Sequence, residues 1–194
     1  MELKDKKVGL GITGSFCNFN RIQEIIQNLK NEGATVIPII TETVRDTTTK
    51  FYEKEDFIKM LQDNTGNVLI DTITKAEPIG PKNMLDILLI CPCTGNTAAK
   101  LANGITDSAV LMAAKSHIRN NKPIVIGIST NDGLGQNLKN IAELLNSKNT
   151  YFVPFNQDDY NIKPKSLVLN YDQIIDTLKY ALDQKQIQPI ISLR

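Results

Sequence analysis

The sequence predicts an α/β fold, a single open parallel sheet with helices on both faces. Three observations lead there. Apolar periodicity alternates along the chain between short strand-like runs and helical stripes, the pattern of repeated strand and crossover-helix units. Residues 85–91 are almost unbroken in apolar character, as a strand covered on both faces requires. A chain of 194 residues can bury a core without a disulfide or metal staple, so residues 1–194 read as one domain.

Taken in order, residues 7–12 form a first strand. Ile22, Ile25, Ile26 and Leu29 follow at i, i+3, i+4 and i+7, one face of a helix that stops at Gly33. Residues 34–40, rich in β-branched side chains, form the second strand. Residues 41–50 read as a polar, threonine-rich loop, and Phe57, Ile58 and Leu61 place a helix over 53–62. A short strand near 68–73 is left open. Beyond the central strand, 96–103 and 108–120 are helices separated by Gly104, and 123–128 is another buried strand. Ile141, Leu144 and Leu145 mark a further helix, 151–155 a last strand and 156–165 a polar loop. Ile174, Leu178, Ala181 and Leu182 carry the stripe of a closing helix.

Composition mainly excludes. Twenty-two basic against 21 acidic side chains give a formal +1 with no run of one sign, which argues against a nucleic-acid groove. No stretch reaches eighteen consecutive apolar residues, so no membrane span is expected, and the N-terminus lacks a cleavable leader pattern. Cys17, Cys91 and Cys93 form neither a disulfide framework nor a four-ligand zinc set. A reducing cytoplasm suits them.

In an open parallel sheet, ligands bind beyond the carboxyl ends of the strands. That rule singles out the loops at 13–18, 41–49, 92–97 and 129–137, which offer Gly, Ser, Thr and Asn rather than acid-base groups. Gly9, Gly11 and Gly14 match the spacing of a dinucleotide fingerprint, but that motif needs a strand ending before its first glycine. Residues 3–8 are too charged for a buried strand, whereas 7–12 suit one. The phosphate loop with a following Lys-Ser or Lys-Thr is also missing. What remains is Thr13-Gly14-Ser15, read either as a phosphate seat at a helix N-terminus or as a plain turn and cap.

The segment Ile90-Cys-Pro-Cys-Thr-Gly-Asn-Thr-Ala-Ala-Lys-Leu-Ala-Asn-Gly-Ile-Thr-Asp107 resembles the strand-to-helix signature of the flavoprotein family of homo-oligomeric flavin-containing cysteine decarboxylases. With Gly14-Ser15, the likeness covers most of residues 7–130. It implies a Rossmann-like (flavodoxin-like) sheet, FMN with its phosphate on the first loop, and trimers or multiples of them with the flavin at the boundary between protomers. A closer, nearly full-length likeness within that family is to the B components of two-component synthases of spore-forming bacteria. Lys75-Ala-Glu-Pro-Ile-Gly-Pro81, Ser108-Ala-Val-Leu-Met-Ala-Ala-Lys115, Ile118-Arg-Asn-Asn-Lys-Pro123, Gly127-Ile-Ser-Thr-Asn-Asp132 and Phe155-Asn-Gln-Asp-Asp159 carry it. It implies a nicotinamide-binding A subunit as partner, NADP reaching the reaction through that partner, a small dicarboxylate substrate, and work in the mother-cell cytoplasm.

Two departures from the decarboxylases matter chemically. Their histidine base before the central strand is replaced here by Ala76-Glu-Pro-Ile-Gly80, and their Pro-Ala-Met-Asn by Ile128-Ser-Thr-Asn131. The expected cofactor-binding set is therefore Gly14, Ser15, Thr41, Pro92, Cys93, Thr94, Asn96, Thr97, Ser129, Thr130 and Asn131, with no metal ligand and no catalytic residue assigned. His117, the only histidine, is expected at the surface or a contact between protomers rather than in catalysis. Cys91 and Cys93 read as small filler beneath the loop, against a thiolate nucleophile. Asp158 and Asp159 read as a solvated turn or a partner contact, against general acids, and Glu77 is a candidate substitute for the missing histidine. Three functions stay open: an oxidoreductase component, an FMN-dependent decarboxylase, and a scaffold with a vestigial flavin site.

Overall fold

The computed structural model describes residues 1–192. Five strands form the parallel part of a seven-stranded sheet in the order β2-β1-β3-β4-β5. They are β1 (Lys7–Ile12), β2 (Thr35–Ile40), β3 (Ile87–Cys93), β4 (Ile124–Thr130) and β5 (Thr150–Phe152). The order reverses between β1 and β3, and such a switch point opens a crevice at the carboxyl ends of these two strands. The predicted fold class holds.

Side-chain alternation divides the core into two layers. Val8, Leu10, Ile12, Ile87, Leu89 and Val125 face α1 (Ile22–Asn31), α2 (Glu42–Asp46), α3 (Lys54–Thr65) and the closing α8 (Ile174–Leu182). Leu88, Ile90, Ile124, Ile126 and Ile128 face α4 (Ile73–Ala76), α5 (Gly95–Ala102), α6 (Ala109–Arg119) and α7 (Leu138–Leu145). Each such buried Leu or Ile contributes roughly 1.5–3 kcal/mol. Gly9 and Gly11 lie inside β1 rather than in a turn. A Cβ on Gly9 would stand 2.6 Å from Leu85 Cδ1, and one on Gly11 would stand 3.1 Å from Val110 Cγ1. These glycines let neighbouring side chains close on the strand, and the dinucleotide spacing is a packing feature.

Several elements differ from the sequence reading. The chain leaves β1 through a 3-10 turn, Phe16–Arg21, and α1 begins only at Ile22. Five residues of the threonine-rich loop close into α2, because Thr41 Oγ1 accepts from Val44 N at 3.4 Å and caps the turn. Near residues 68–73 there is only a single bridge, Ile39 to Ile70. The expected strand at 151–155 splits into β5 and β6 (Phe155–Asn156). An unpredicted β7 (Leu167–Leu169) pairs antiparallel with both β4 and β6, bringing the loop before it back over the strand exits. The alanine face of α6 packs within the chain: Ala109, Ala113 and Ala114 are fully covered.

Candidate functional site

The site grows from the β1 and β3 exits, which Thr13 ties together. Its Oγ1 donates to Pro92 O at 2.8 Å and accepts from Thr94 N at 2.9 Å, and the residue is only 1% exposed. β3 carries one extra residue against β4 between Ile90 and Cys93. Cys91 consequently faces one core layer and Cys93 the other. Burial pushes both thiols up, Cys93 to about 12, with Cys91 raised further by the neighbouring Cys93. Neither is a nucleophile as held here, since the reactive form is the thiolate. Pro92 and Cys93, expected in the site, lie buried beneath it and line neither of the cavities above.

Two cavities of about 380 and 360 Å3 meet over this frame at Gly14, Thr94 and Asn96. They form two lobes of one cleft, each of ordinary ligand-pocket size. Ser15, Ser129, Thr130 and Asn131 line the first, together with Cys17, Asn18, Asp158 and Lys163. Thr41, Thr97 and Ser108 line the second, with Glu42, Lys100 and Asp107 at its rim. The expected set is thus brought together except for the two buried members, but Ser15 and Thr41 fall in different lobes.

In the serine lobe, Asn18 Nδ2 donates to Ser15 Oγ and to Ser129 Oγ, both at 2.8 Å, and the two hydroxyl oxygens stand 3.0 Å apart. Asn18 is invisible to motif reasoning because its role comes from a partner 111 residues away. Lys163 Nζ donates to Asp158 Oδ2 at 2.9 Å across the loop that precedes β7. That carboxylate holds the Lys163 ammonium above its usual range, chiefly through the hydrogen bond. Asp159 accepts from Asn161 N and Ile162 N, both at 3.1 Å. It is the turn former the sequence suggested.

In the threonine lobe the hydroxyls are helix caps. Thr94 Oγ1 accepts from Thr97 N at 3.2 Å and donates to Thr97 Oγ1 at 3.0 Å, and Ser108 Oγ accepts from Leu111 N at 3.3 Å. Among the described residues no acceptor takes the hydroxyl hydrogens of Thr41, Thr97 or Ser108, so the lobe offers three neutral donors. Lys100 Nζ donates to Asp107 Oδ2 at 2.6 Å. The anticipated anion seat at a helix N-terminus changes character. The turn after Ser15 is 3-10, and Ser15 N already donates to Thr13 O at 2.7 Å, so the Ser15 amide is not among the free donors.

Asn137 and Asp132 close the cleft behind Gly95. Asp132 Oδ1 accepts from Thr130 Oγ1 and from Asn137 Nδ2, both at 2.8 Å, and a Cβ on Gly95 would stand 2.4 Å from Asn137 Nδ2. A side chain there would have to displace the Asn137 amide and the Thr130 hydroxyl. His117 lies elsewhere, in the last turn of α6, and is buried at 2% exposure rather than on the surface. Burial, with Lys122 adding to it, lowers its imidazole to about 4. Glu77 is exposed on the 3-10 turn Glu77–Ile79 and lines neither lobe. The missing base has no substitute at this position within the chain's own cleft.

A hydroxyl- and amide-lined cleft at the β1/β3 switch point suits a phosphorylated, planar cofactor. The donor set fits FMN: neutral donors for a phosphate, with Asn96 exposed where the lobes meet and Asn131 exposed in the serine lobe. Among known proteins, the chain matches the Flavoprotein family over residues 1–179. It is 50% identical over 189 residues to the B subunit of dipicolinate synthase from Bacillus subtilis (strain 168), covering 97% of this chain and 94% of that one. It is also similar to the crystal structure of the B subunit of dipicolinate synthase from Bacillus halodurans C, with a TM-score of 0.91, 44% identity and 100% of both chains covered. The FMN-dependent cysteine decarboxylase SpaF, 18% identical, shares the fold at a TM-score of 0.71 over 94% of this chain and 98% of its own. Among the described residues no helix is long and apolar enough to cross a membrane.

Proposed function

The chain belongs to the Flavoprotein family, and from that membership we propose that it is the flavin-binding B component of a dipicolinate synthase. In this reading it acts with a nicotinamide-binding A subunit, which brings NADP, to make dipicolinic acid from a dihydrodipicolinate-pathway intermediate during sporulation, in the mother-cell cytoplasm. The observation that carries the reading is half identity across nearly the full length of both chains. The single domain assembles as a trimer or a multiple of one, and closed symmetry favours such assemblies.

FMN bound in the cleft would supply an acceptor for the hydride that oxidation of a dihydropyridine dicarboxylate releases. The chain's own residues bind and orient. Gly14, Ser15 and Thr41 hold the phosphate near the junction of the lobes, while Asn96, Thr97, Ser129, Thr130 and Asn131 fix the flavin and the substrate through neutral donors. No histidine lines the cleft among the described residues and the thiols of Cys91 and Cys93 lie beneath it, which supports a division of labour with the nicotinamide-binding partner.

The test assays each component alone and both together, with the pathway intermediate and NADP. Turnover is expected only from the mixture. Full turnover by this chain alone, carbon dioxide release in place of oxidation, or no gain on mixing would each refute the reading. Light scattering at micromolar concentration should find a trimer or a multiple of one, and a monomer would refute the assembly.

A further inference from the structure

We propose that the serine lobe is a carboxylate-binding subsite whose cation, Lys163, is parked on Asp158 and passes to an incoming carboxylate. The choice of carboxylate as ligand rests on the dicarboxylate reading above; the anion preference rests on counting hydrogens. Asn18 directs its amide at Ser15 Oγ and Ser129 Oγ, so both hydroxyl oxygens already accept. A longer contact at 3.6 Å reaches Cys17 Sγ. The serine oxygens are 3.0 Å apart, so one hydroxyl donates to the other. The second hydroxyl hydrogen then has no acceptor among the described residues. Ser15 caps no helix through its side chain, so structure does not claim this donor.

Lys163 adds further donors to the same lobe, one of them directed to Asp158. Asp158 and Lys163 are close to half exposed and belong to one loop. An ion pair of that kind is weakly held and readily exchanged. Asp158 is the one carboxylate lining this lobe among the described residues, so it occupies in effect the place of a ligand carboxylate. A carboxylate accepts at both oxygens and donates nothing, which complements a surplus hydroxyl hydrogen and an ammonium.

The test is calorimetric titration of the full chain with pyridine-2,6-dicarboxylate, with and without FMN, and with inorganic phosphate in parallel. The unaltered chain should bind the dicarboxylate. Lys163→Ala should weaken it by about tenfold through loss of a charge-assisted contact. Asp158→Asn should tighten it by about threefold by removing the competing carboxylate. FMN affinity should stay within about twofold in both variants, since neither Asp158 nor Lys163 is among the residues assigned to the phosphate. No dicarboxylate binding by the unaltered chain, or equal binding by Lys163→Ala, overturns the subsite. A loss of FMN and inorganic phosphate binding in Lys163→Ala also overturns it, by giving the lobe to the flavin phosphate. Failure of FMN to bind, with the dicarboxylate responses intact, refutes the flavin reading and supports the subsite.

Discussion

The two lobes of the cleft are built from the same kinds of side chain put to different duties. In the threonine lobe Thr41, Thr94 and Ser108 each cap a helix, so the groups that would meet a ligand also hold α2, α5 and α6 in place. In the serine lobe the donors other than the shared Thr94 cap nothing: Ser15, Asn18 and Ser129 bond to one another, and the cation sits on a loop. Charge differs too. The threonine lobe sets Glu42 and Asp107 against Lys100, whereas the serine lobe balances one Lys with one Asp. Removing a capping hydroxyl from the threonine lobe therefore loosens a helix, whereas Ser15, Asn18 and Ser129 can change without uncapping one.

The largest effect is expected from pH, and it separates the fold from both lobes. His117 titrates near 6.5 when unfolded and is held to about 4 when folded, so between those values the unfolded chain binds more protons. Stability therefore falls as pH drops from about 6.5 towards 4, by roughly 3 kcal/mol, and is unaffected above that window. Urea unfolding at pH 7 and pH 4 checks it; His117→Leu should flatten the slope, and an unchanged slope would acquit the histidine.

Gly95→Ala strikes the wall of the serine lobe. Its Cβ would overlap Asn137 Nδ2 and Thr130 Oγ1, and we expect a loss of about 2 kcal/mol in unfolding free energy. Ser15→Asp should leave stability within about 0.5 kcal/mol yet weaken FMN or phosphate binding by about tenfold through like charge. Unchanged affinity would sink the phosphate assignment. Thr94→Ala and Ser108→Ala should each cost about 1 kcal/mol of stability as lost caps, whereas Ser129→Ala should stay within about 0.5 kcal/mol. Equal losses in the two lobes would erase the contrast. The smallest effect is Glu42→Gln, which removes a carboxylate from the threonine lobe and should tighten FMN by about threefold. Fluorescence titration reads it, and weaker binding would run against the charge comparison.

Much of the fold is legible in the sequence because the parallel strands are continuous apolar runs and the helices carry regular stripes. Residues 7–12 and the stripe from Ile22 to Leu29 appear in place as β1 and α1. β7 escapes notice because three residues, Leu167–Leu169, gain their structure only by pairing with β4 and β6, a nonlocal fact that no periodicity carries. The same applies within the site. Ser15, Asn96 and Ser129 sit in loops whose place follows from strand exits, but Asn18 and Lys163 join them through the path of the 3-10 turn and the loop before β7. Pro92 and Cys93 belong to the recognisable motif yet lie under the cleft, where the extra residue in β3 turns them inward.

Titrating the purified full chain into FMN and following flavin fluorescence and visible absorbance decides whether this cleft holds a flavin. Saturable binding at one FMN per chain, with a perturbed flavin spectrum and weakening by Ser15→Asp, is the result predicted. No binding at micromolar concentrations of protein and FMN would contradict it and leave the cleft a vestige.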